Sequence, residues 1–391
     1  MQRRSVWVVV AIVAGAGVLA AGSLGGGAAA ACPQHLCLDD RLPAPLTITT
    51  ARATFLIARD GRVQRAAGPR GMGPPGAAVF PATGSWYAVR RAHLVIGRNA
   101  LTLWRSSDAG WSAKRIGVVV AGRRELAFQY DHKLYMGRVD GGVHDIARSE
   151  LPLGWTARGL YTYSYPRREL LLRKPTGRVL TMISPLPFHA DPFVANGSLY
   201  FIVRGVLMRA RGVEVHRVAS LAALGMSTDS WVAPLGGLLE VMDNRHLMVV
   251  RPDGSRFAST PLPRRGGETE SLSSPLVPDP RANAVAFTAA YGESTDPRAA
   301  MRAGGTETVY LLPSGARAAI PVHTERVRFR VCERGAGLDW NGSWLLYDNS
   351  EGNLVMIDTA GSPRAIDLTA DAAHLTGTRI GVDAHWTGRA S

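Results

Sequence analysis

The chain has 391 residues, 46% of them hydrophobic, which is typical of a globular protein with a large core. Its formal net charge is +14, but only three of the 45 basic residues are lysine, and the arginines are dispersed as single residues and pairs. Abundant arginine together with alanine and glycine is typical of a GC-rich genome. The charge therefore does not indicate a nucleic-acid partner.

The N-terminus has the three parts of a secretory signal. A basic start over residues 1–5 precedes an apolar stretch from Val6 to about Ala21, and small residues follow over 25–31. The apolar core is shorter than the ~20 residues that a membrane-spanning helix needs. We predict a signal peptide over 1–31 and export to the periplasm, the cell surface or the extracellular space. Membrane contact is expected only through an N-terminal lipid or an uncleaved signal.

Residues 32–52 are rich in proline and predict an extended lead-in. From residue 53 a short apolar strand, a glycine-containing turn and a second strand recur roughly every 35–50 residues, the period of a four-stranded propeller blade. Glycine supplies the positive φ that such tight turns require. These turns fall near residues 61, 98, 141, 177, 212, 254, 315 and 361. We therefore predict an all-β fold, a β-propeller over 53–386, with a C-terminal tail over 387–391.

The number of blades is predicted to be eight or seven. Eight turns give eight blades, whereas seven blades result if 85–108 forms one irregular blade. A last strand within 378–386 is expected to complete the first blade and close the ring, which removes exposed sheet edges. No convincing helical periodicity follows the signal, apart from one possible short turn over 218–225. Two β-sandwich domains would show a linker near the middle of the chain, and none is evident.

Two segments resemble the repeat of TolB-type propellers, in which a Ser-Pro-Asp-Gly turn precedes an apolar strand and a Gly-Asn or Gly-Asp step precedes the next. The matching segments are 338–349 with 352–358, and, in part, 277–280 with 285–287. The other repeats keep the period without that turn. The resemblance implies a periplasmic or surface propeller that acts as a protein-binding scaffold.

The three cysteines are expected to experience an oxidising compartment, where pairing is the rule. In one scheme Cys32 is lipidated as the mature N-terminus and Cys37 pairs with Cys332. In the other, Cys32 and Cys37 pair and Cys332 remains free. A Cys37–Cys332 bridge would close a long loop and contribute about 4–5 kcal/mol in the chain-entropy model.

Motifs for catalysis or metal binding are missing from the sequence. There is no His-Glu-x-x-His, Cys-x-x-Cys, Gly-x-Ser-x-Gly or phosphate-binding glycine loop. We expect no cofactor and no metal. Two groups of residues remain candidates for binding, the first in a long loop over 291–306 and the second on strands expected to line the channel. The first comprises Glu293, Asp296, Arg298 and Arg302, and the second comprises Asp339, Trp340, Asp383 and His385.

These features predict an exported, monomeric propeller that binds a protein or an envelope polymer at one face of the ring. The alternative is a propeller enzyme, a glycan hydrolase or lyase. An enzyme would need acidic, histidine or tyrosine side chains that converge at the channel mouth, whereas an apolar or arginine-lined mouth would favour binding.

Overall fold

A computed structural model describes the chain in thirteen stretches. They are 42–50, 53–67, 78–80, 85–98, 101–183, 192–265, 268–269, 271–281, 283–292, 304–327, 337–349, 351–377 and 383–387. Within them, antiparallel strands dominate, and no helix is long and apolar enough to cross a membrane. The predicted signal peptide and all three cysteines lie outside the described residues.

Blades 1 to 4 are four-stranded sheets. Blade 1 contains the first three strands of the chain, β1 Leu46–Thr49, β2 Ala53–Ile57 and β3 Val63–Ala67. Blade 2 consists of β4 Ala78–Phe80, β5 Ser85–Arg90, β6 His93–Arg98 and β7 Leu101–Arg105. Blade 3 follows a short 3₁₀ turn, Ala113–Arg115, and consists of β8 Ile116–Ala121, β9 Glu125–Tyr130, β10 Lys133–Arg138 and β11 Val143–Arg148. Blade 4 consists of β12 Glu150–Thr156, β13 Gly159–Ser164, β14 Glu169–Arg173 and β15 Val179–Ile183.

Blades 5 to 8 continue the same order. Blade 5 consists of β16 Phe193–Ala195, β17 Ser198–Val203, β18 Val206–Arg211 and β19 Glu214–Ser220. Blade 6 consists of β20 Trp231–Leu235, β21 Leu238–Met242, β22 His246–Val250 and β23 Arg256–Pro261, and a small hairpin follows it, β24 Arg264–Arg265 with β25 Glu268–Thr269. Blade 7 consists of β26 Ser271–Leu272, β27 Val277–Pro278, β28 Ala284–Gly292, β29 Gly305–Pro313 and β30 Ile320–Val327. Blade 8 consists of β31 Gly337–Asn341, β32 Trp344–Asp348, β33 Leu354–Asp358 and β34 Arg364–Asp367, followed by α1 Thr369–Thr376 and β35 Asp383–Trp386.

The prediction of an all-β propeller is confirmed, and the blade count is eight. Each of the eight predicted turns joins the third strand of a blade to its fourth, if β35 is counted as the first strand of blade 1 and β26 with β27 as the first strand of blade 7. The sequence allowed seven blades if the region 85–108 formed one irregular blade. In the structure this region contains three regular strands of blade 2. The geometry of these turns explains why glycine recurs in them. Gly254, for example, has φ +89°, and a Cβ there would lie 2.4 Å from the carbonyl oxygen of Val218.

The last strand that the structure describes pairs with the first one. β35 lies antiparallel to β1, with Leu46 opposite Trp386 and Ile48 opposite Ala384, so both ends of the chain belong to blade 1. β1 lies within 32–52, the predicted lead-in, so the sheet begins earlier than the sequence indicated. Leu46 and Ile48 are fully buried, and the prolines beside them obscured this short strand pattern.

One helix was not predicted. The sequence of α1 has little separation of apolar and polar faces, and Ala372 is its only buried residue. Its N-cap residue Leu368 has no capping side chain, although Asp367 accepts the backbone N–H of Thr369 at 2.8 Å. It ends at Gly377, which adopts the left-handed conformation. The segment 221–225, by contrast, forms turns that reverse the chain after β19.

The core consists mainly of apolar layers between adjacent blades. One layer joins Tyr200, Ile202 and Leu207 of blade 5 to Leu239 and Val241 of blade 6. The other face of blade 6 packs against blade 7 in the same way. A strand that is buried on both faces is apolar at successive positions. The strands of these blades therefore show little alternation of apolar and polar residues.

Candidate functional site

The predicted channel residues lie where blade 8 meets blade 1. β31 is the first strand of blade 8 and contacts β35 of blade 1. The carboxylate of Asp339 accepts backbone N–H groups from Trp340 at 3.0 Å and Trp386 at 2.8 Å. Asp339 therefore joins the last blade to the strand that completes the first.

Trp340 and His385 occupy different environments. Trp340 is buried between blades 7 and 8, and its indole N–H donates to the carbonyl oxygen of Val277 at 3.0 Å. His385 is partly buried on β35, opposite Thr47 of β1. The backbone of Asp383 lies on the same strand, opposite Thr49. The structure thus places Asp339, His385 and the backbone of Asp383 at the junction of blades 8 and 1, and Trp340 at the junction of blades 7 and 8.

The other predicted residues lie outside the described part of the chain. They are Glu293, Asp296, Arg298 and Arg302 in the loop between β28 and β29, and the cysteines Cys32, Cys37 and Cys332. The binding role of the loop and the two schemes for the cysteines stay predictions.

A large cavity lies among blades 3 to 7, and none of the described residues that line it belongs to blade 8 or blade 1. It has a volume of about 1440 Å³ and is lined by the first strands of blades 3 to 7 and the connections that follow them. The first strands of blades 3, 4, 5 and 6 contact one another in sequence, so the cavity faces the centre of the propeller. We call it the channel cavity.

Most side chains that line the channel cavity are apolar or aromatic. Trp155 donates its indole N–H to the carbonyl oxygen of Val120 at 3.3 Å, whereas Trp231 is 39% exposed and presents its ring to the cavity. An exposed indole provides a flat apolar surface with a polar edge, which suits contact with a ligand. Arg123 and Arg158 are exposed at the rim, on the connections that follow β8 and β12.

Glu240 is the buried charge of the channel cavity. It lies in the middle of β21, opposite Ala233 of β20 and Val249 of β22, and is only 7% exposed. Leu238 and Met242, two residues before and after it, point to the same side of the strand and pack towards blade 7. Because alanine is short, the carboxylate reaches the cavity beside β20.

No group within the described stretches donates a hydrogen bond to the Glu240 carboxylate. Burial alone raises the pKa of Glu240 from 4.5 to about 7, and no neighbouring charge contributes. A buried carboxylate without a partner is unfavourable for folding. Such groups concentrate at functional sites, so Glu240 marks the channel cavity as the candidate site.

An irregularity in blade 7 forms the wall next to Glu240. The first strand of that blade is split into β26 and β27, and residues 274–276 leave the ladder between them, whereas Ser273 still donates its backbone N–H to Thr288. The hydroxyl of Ser274 accepts the backbone N–H of Thr288 at 2.9 Å, which replaces a ladder bond. The split strand presents Ser274, Pro275 and Leu276 to the cavity.

A second buried polar cluster joins blades 7 and 8. The hydroxyl of Tyr347 donates to Glu307 at 2.6 Å, and the amide of Asn349 donates to Tyr347 at 3.0 Å. His323 and Glu325 are 2.7 Å apart at their closest ring nitrogen and carboxylate oxygen. Burial is the largest cause that raises the pKa of Glu307. These groups satisfy one another, so the cluster is a structural link between the blades.

Sequence reasoning did not find Glu240. The signal that the sequence offers is a single charged residue inside the apolar run Leu238-Leu239-Glu240-Val241. Among the described residues, no group of three or more His, Cys, Asp or Glu side chains is arranged to hold a metal ion.

Solved structures with a similar fold are β-propellers. AztD from Citrobacter koseri is 10% identical with a TM-score of 0.51, and the alignment covers 89% of this chain and 99% of that one. Apo AztD from the same organism is also 10% identical with a TM-score of 0.51, and the alignment covers 88% of this chain and 99% of that one. BamB from Moraxella catarrhalis is 14% identical over 74% of this chain and 87% of that one, with a TM-score of 0.39.

No protein-family model and no curated protein sequence matches the chain. At such low identity, the structural similarity shows the fold alone. The resemblance to TolB-type repeats therefore extends to the propeller architecture and no further.

Proposed function

We propose that the chain is an exported propeller that binds a segment of an envelope partner in the channel cavity. The observation that carries this proposal is the cavity itself, about 1440 Å³ in volume and walled by five blades. Ligand sites in proteins are concave, mostly apolar and contain a few placed polar groups. The lining of this cavity has that composition, with exposed Trp231, buried Glu240 and two rim arginines.

The composition of the cavity supports binding over hydrolysis. A glycan hydrolase commonly uses two carboxyl groups that flank the scissile bond. The carboxylates that line the cavity belong to Glu240 of blade 6 and Glu125 of blade 3, with two blades between them. The apolar and arginine-bearing mouth matches the arrangement that the sequence argument associated with binding.

Export is supported by the signal-like N-terminus of the sequence. A protein partner is favoured over a polymer by the apolar stretches of the wall, because apolar and aromatic side chains dominate the centres of protein interfaces. The ligand-binding face is the one that carries the connections from first to second strands, at residues such as Arg123, Arg158 and Asn196.

Photo-crosslinking from the cavity tests the proposal. A photoreactive amino acid at position 231 of the mature protein is expected to form an adduct with a component of envelope extract. The matched control is position 215, on the outer strand β19, where Val215 is 38% exposed, much like Trp231.

The variant Trp231→Ala is expected to lose capture of the component found in that adduct, and Val215→Ala is expected to retain it. Equal adducts from both positions, or full capture by Trp231→Ala, would contradict binding in the channel cavity. Urea unfolding of both variants shows whether a loss of capture reflects a loss of fold.

A further inference from the structure

Glu240 presents an unpaired acidic group to a ligand. The residue is 7% exposed and lines the channel cavity, and its carboxylate accepts no hydrogen bond from the described residues. Its neighbours in the sheet, Ala233 and Val249, have no polar side-chain atom. A carboxylate in such a cavity is stabilised by water, by strong donors or by an opposite charge, so a cationic group on a ligand would replace water as its partner.

Among the described residues, no titratable group faces Glu240 from the elements packed around it. Across the interface with blade 7 the wall consists of Leu272, Ser274, Pro275 and Leu276, which are uncharged. The charged side chains that share the cavity, Arg123, Glu125 and Arg158, belong to blades 3 and 4. A cation bound at Glu240 would therefore not displace an ion pair of the protein itself.

The apolar residues around Glu240 favour a cation on an alkyl stem over a cation on a sugar ring. Lysine and arginine side chains carry their charge at the tip of a three- or four-carbon stem, which can lie against apolar surface. An amino sugar carries its ammonium on a ring with several hydroxyl groups, each of which needs a partner when buried. The wall near Glu240, with Met242, Leu235 and Leu276, fits an alkyl stem better than a sugar ring.

We propose that the Glu240 carboxylate binds the alkylammonium or guanidinium group of a lysine or arginine side chain, inserted into the channel cavity by the protein partner. This inference rests on the proposed function, because it specifies the chemistry of the same site. The exposed ring of Trp231 lies on the same side of blade 6 as Ala233, two residues along β20, and provides contact area for the inserted segment.

Ionisation of Glu240 determines the pH dependence of this interaction. With a pKa of about 7 in the free protein, the carboxylate is mostly protonated at pH 5.5 and mostly ionised at pH 8.5. Binding of a cation is therefore expected to strengthen as pH rises through 7. A ligand of the same shape without charge lacks this dependence.

Calorimetric titration with defined peptides tests the inference. The probes are acetyl-Gly-Ala-Lys-Ala-Gly-amide, its norleucine analogue and 1,5-diaminopentane, each titrated into the mature protein at pH 5.5 and 8.5. At pH 8.5 the lysine peptide is expected to bind about tenfold to a hundredfold more tightly than the norleucine peptide. That preference is expected to vanish in Glu240→Gln and to persist in the matched cavity variant Glu125→Gln.

The outcomes separate the inference from the proposed function. Equal binding of the two peptides, no binding of either, or an unchanged preference in Glu240→Gln overturns the role of Glu240. If Trp231→Ala then still loses capture of the envelope component, binding in the channel cavity stands without that role. If Trp231→Ala and Glu240→Gln both capture the envelope component fully, the proposed function and the role of Glu240 both fail. Diaminopentane binding as tightly as the lysine peptide overturns a protein source for the cation.

Discussion

Replacing Glu240 with glutamine is expected to change how stability depends on pH. Burial raises the pKa of Glu240 from 4.5 to about 7, a difference of roughly 2.5 units, and each unit corresponds to about 1.36 kcal/mol. The ionised carboxylate therefore destabilises the folded protein by about 3 kcal/mol at most. Glutamine has nearly the same size and carries no charge, so Glu240→Gln removes this cost.

The sign of the effect follows from proton binding. Below pH 4.5 the carboxyl is protonated in both the folded and unfolded states, and its titration contributes nothing. Between about 4.5 and 7 the folded state holds the proton more tightly, so the free energy of unfolding falls as pH rises. Above 7 the full cost is present. The advantage of Glu240→Gln over the wild type should therefore grow by about 3 kcal/mol across this interval.

Urea unfolding at pH 4.5, 5.5, 6.5 and 7.5, followed by tryptophan fluorescence, measures this difference. With a slope of about 3 kcal/mol/M, the gap between the midpoints of Glu240→Gln and wild type should widen by about 1 M. All other carboxyl groups titrate in both proteins, so their contributions cancel in the difference between the two midpoints. Glu125→Gln, in the same cavity but partly exposed, is expected to follow the wild type. A constant gap between Glu240→Gln and wild type across the four pH values would refute the reasoning.

Three further substitutions test the packing of the blades by urea unfolding. Glu150→Gln leaves the buried guanidinium of Arg173, which contacts Glu150 at 2.6 Å, without its counter-charge and should cost about 3–5 kcal/mol. Gly254→Ala should cost more than the ~1–2 kcal/mol of a left-handed alanine, because its Cβ would lie 2.4 Å from a backbone oxygen of β19. Tyr347→Phe removes the hydrogen bond to buried Glu307 and should cost about 1.5–3 kcal/mol.

Each of these substitutions has a control in the chain. Asp140→Asn breaks an exposed pair with Arg138 and should produce no measurable change. Gly315→Ala has a similar φ of +80° but meets no atom within 4 Å, so it should cost less than Gly254→Ala. Tyr200→Phe alters a buried tyrosine whose hydroxyl has no hydrogen bond within the described residues. If any control matches its test variant, the contact assigned to that variant does not stabilise the fold.

The period of the sequence determined the architecture. Tight turns and the apolar strands beside them are local features, because a glycine with positive φ and its flanking residues act within about ten positions of one another. All eight predicted turns therefore appear between third and fourth strands. The same reasoning missed β1, whose four residues follow a proline-rich stretch, and α1, whose pattern has little amphipathicity.

Only the tertiary structure decided which residues meet. The channel cavity is assembled from five blades, so its lining residues are spread over more than 150 positions and no spacing connects them. In the sequence, Glu240 is one acid in a strand, whereas in the fold it is a buried residue whose carboxylate has no partner in the described part of the chain. Asp339, predicted for the channel, lies on the first strand of blade 8 and joins that blade to blade 1, because backbone amides of both reach its oxygens. A local pattern specifies strands and turns, but burial and pairing depend on contacts between distant blades.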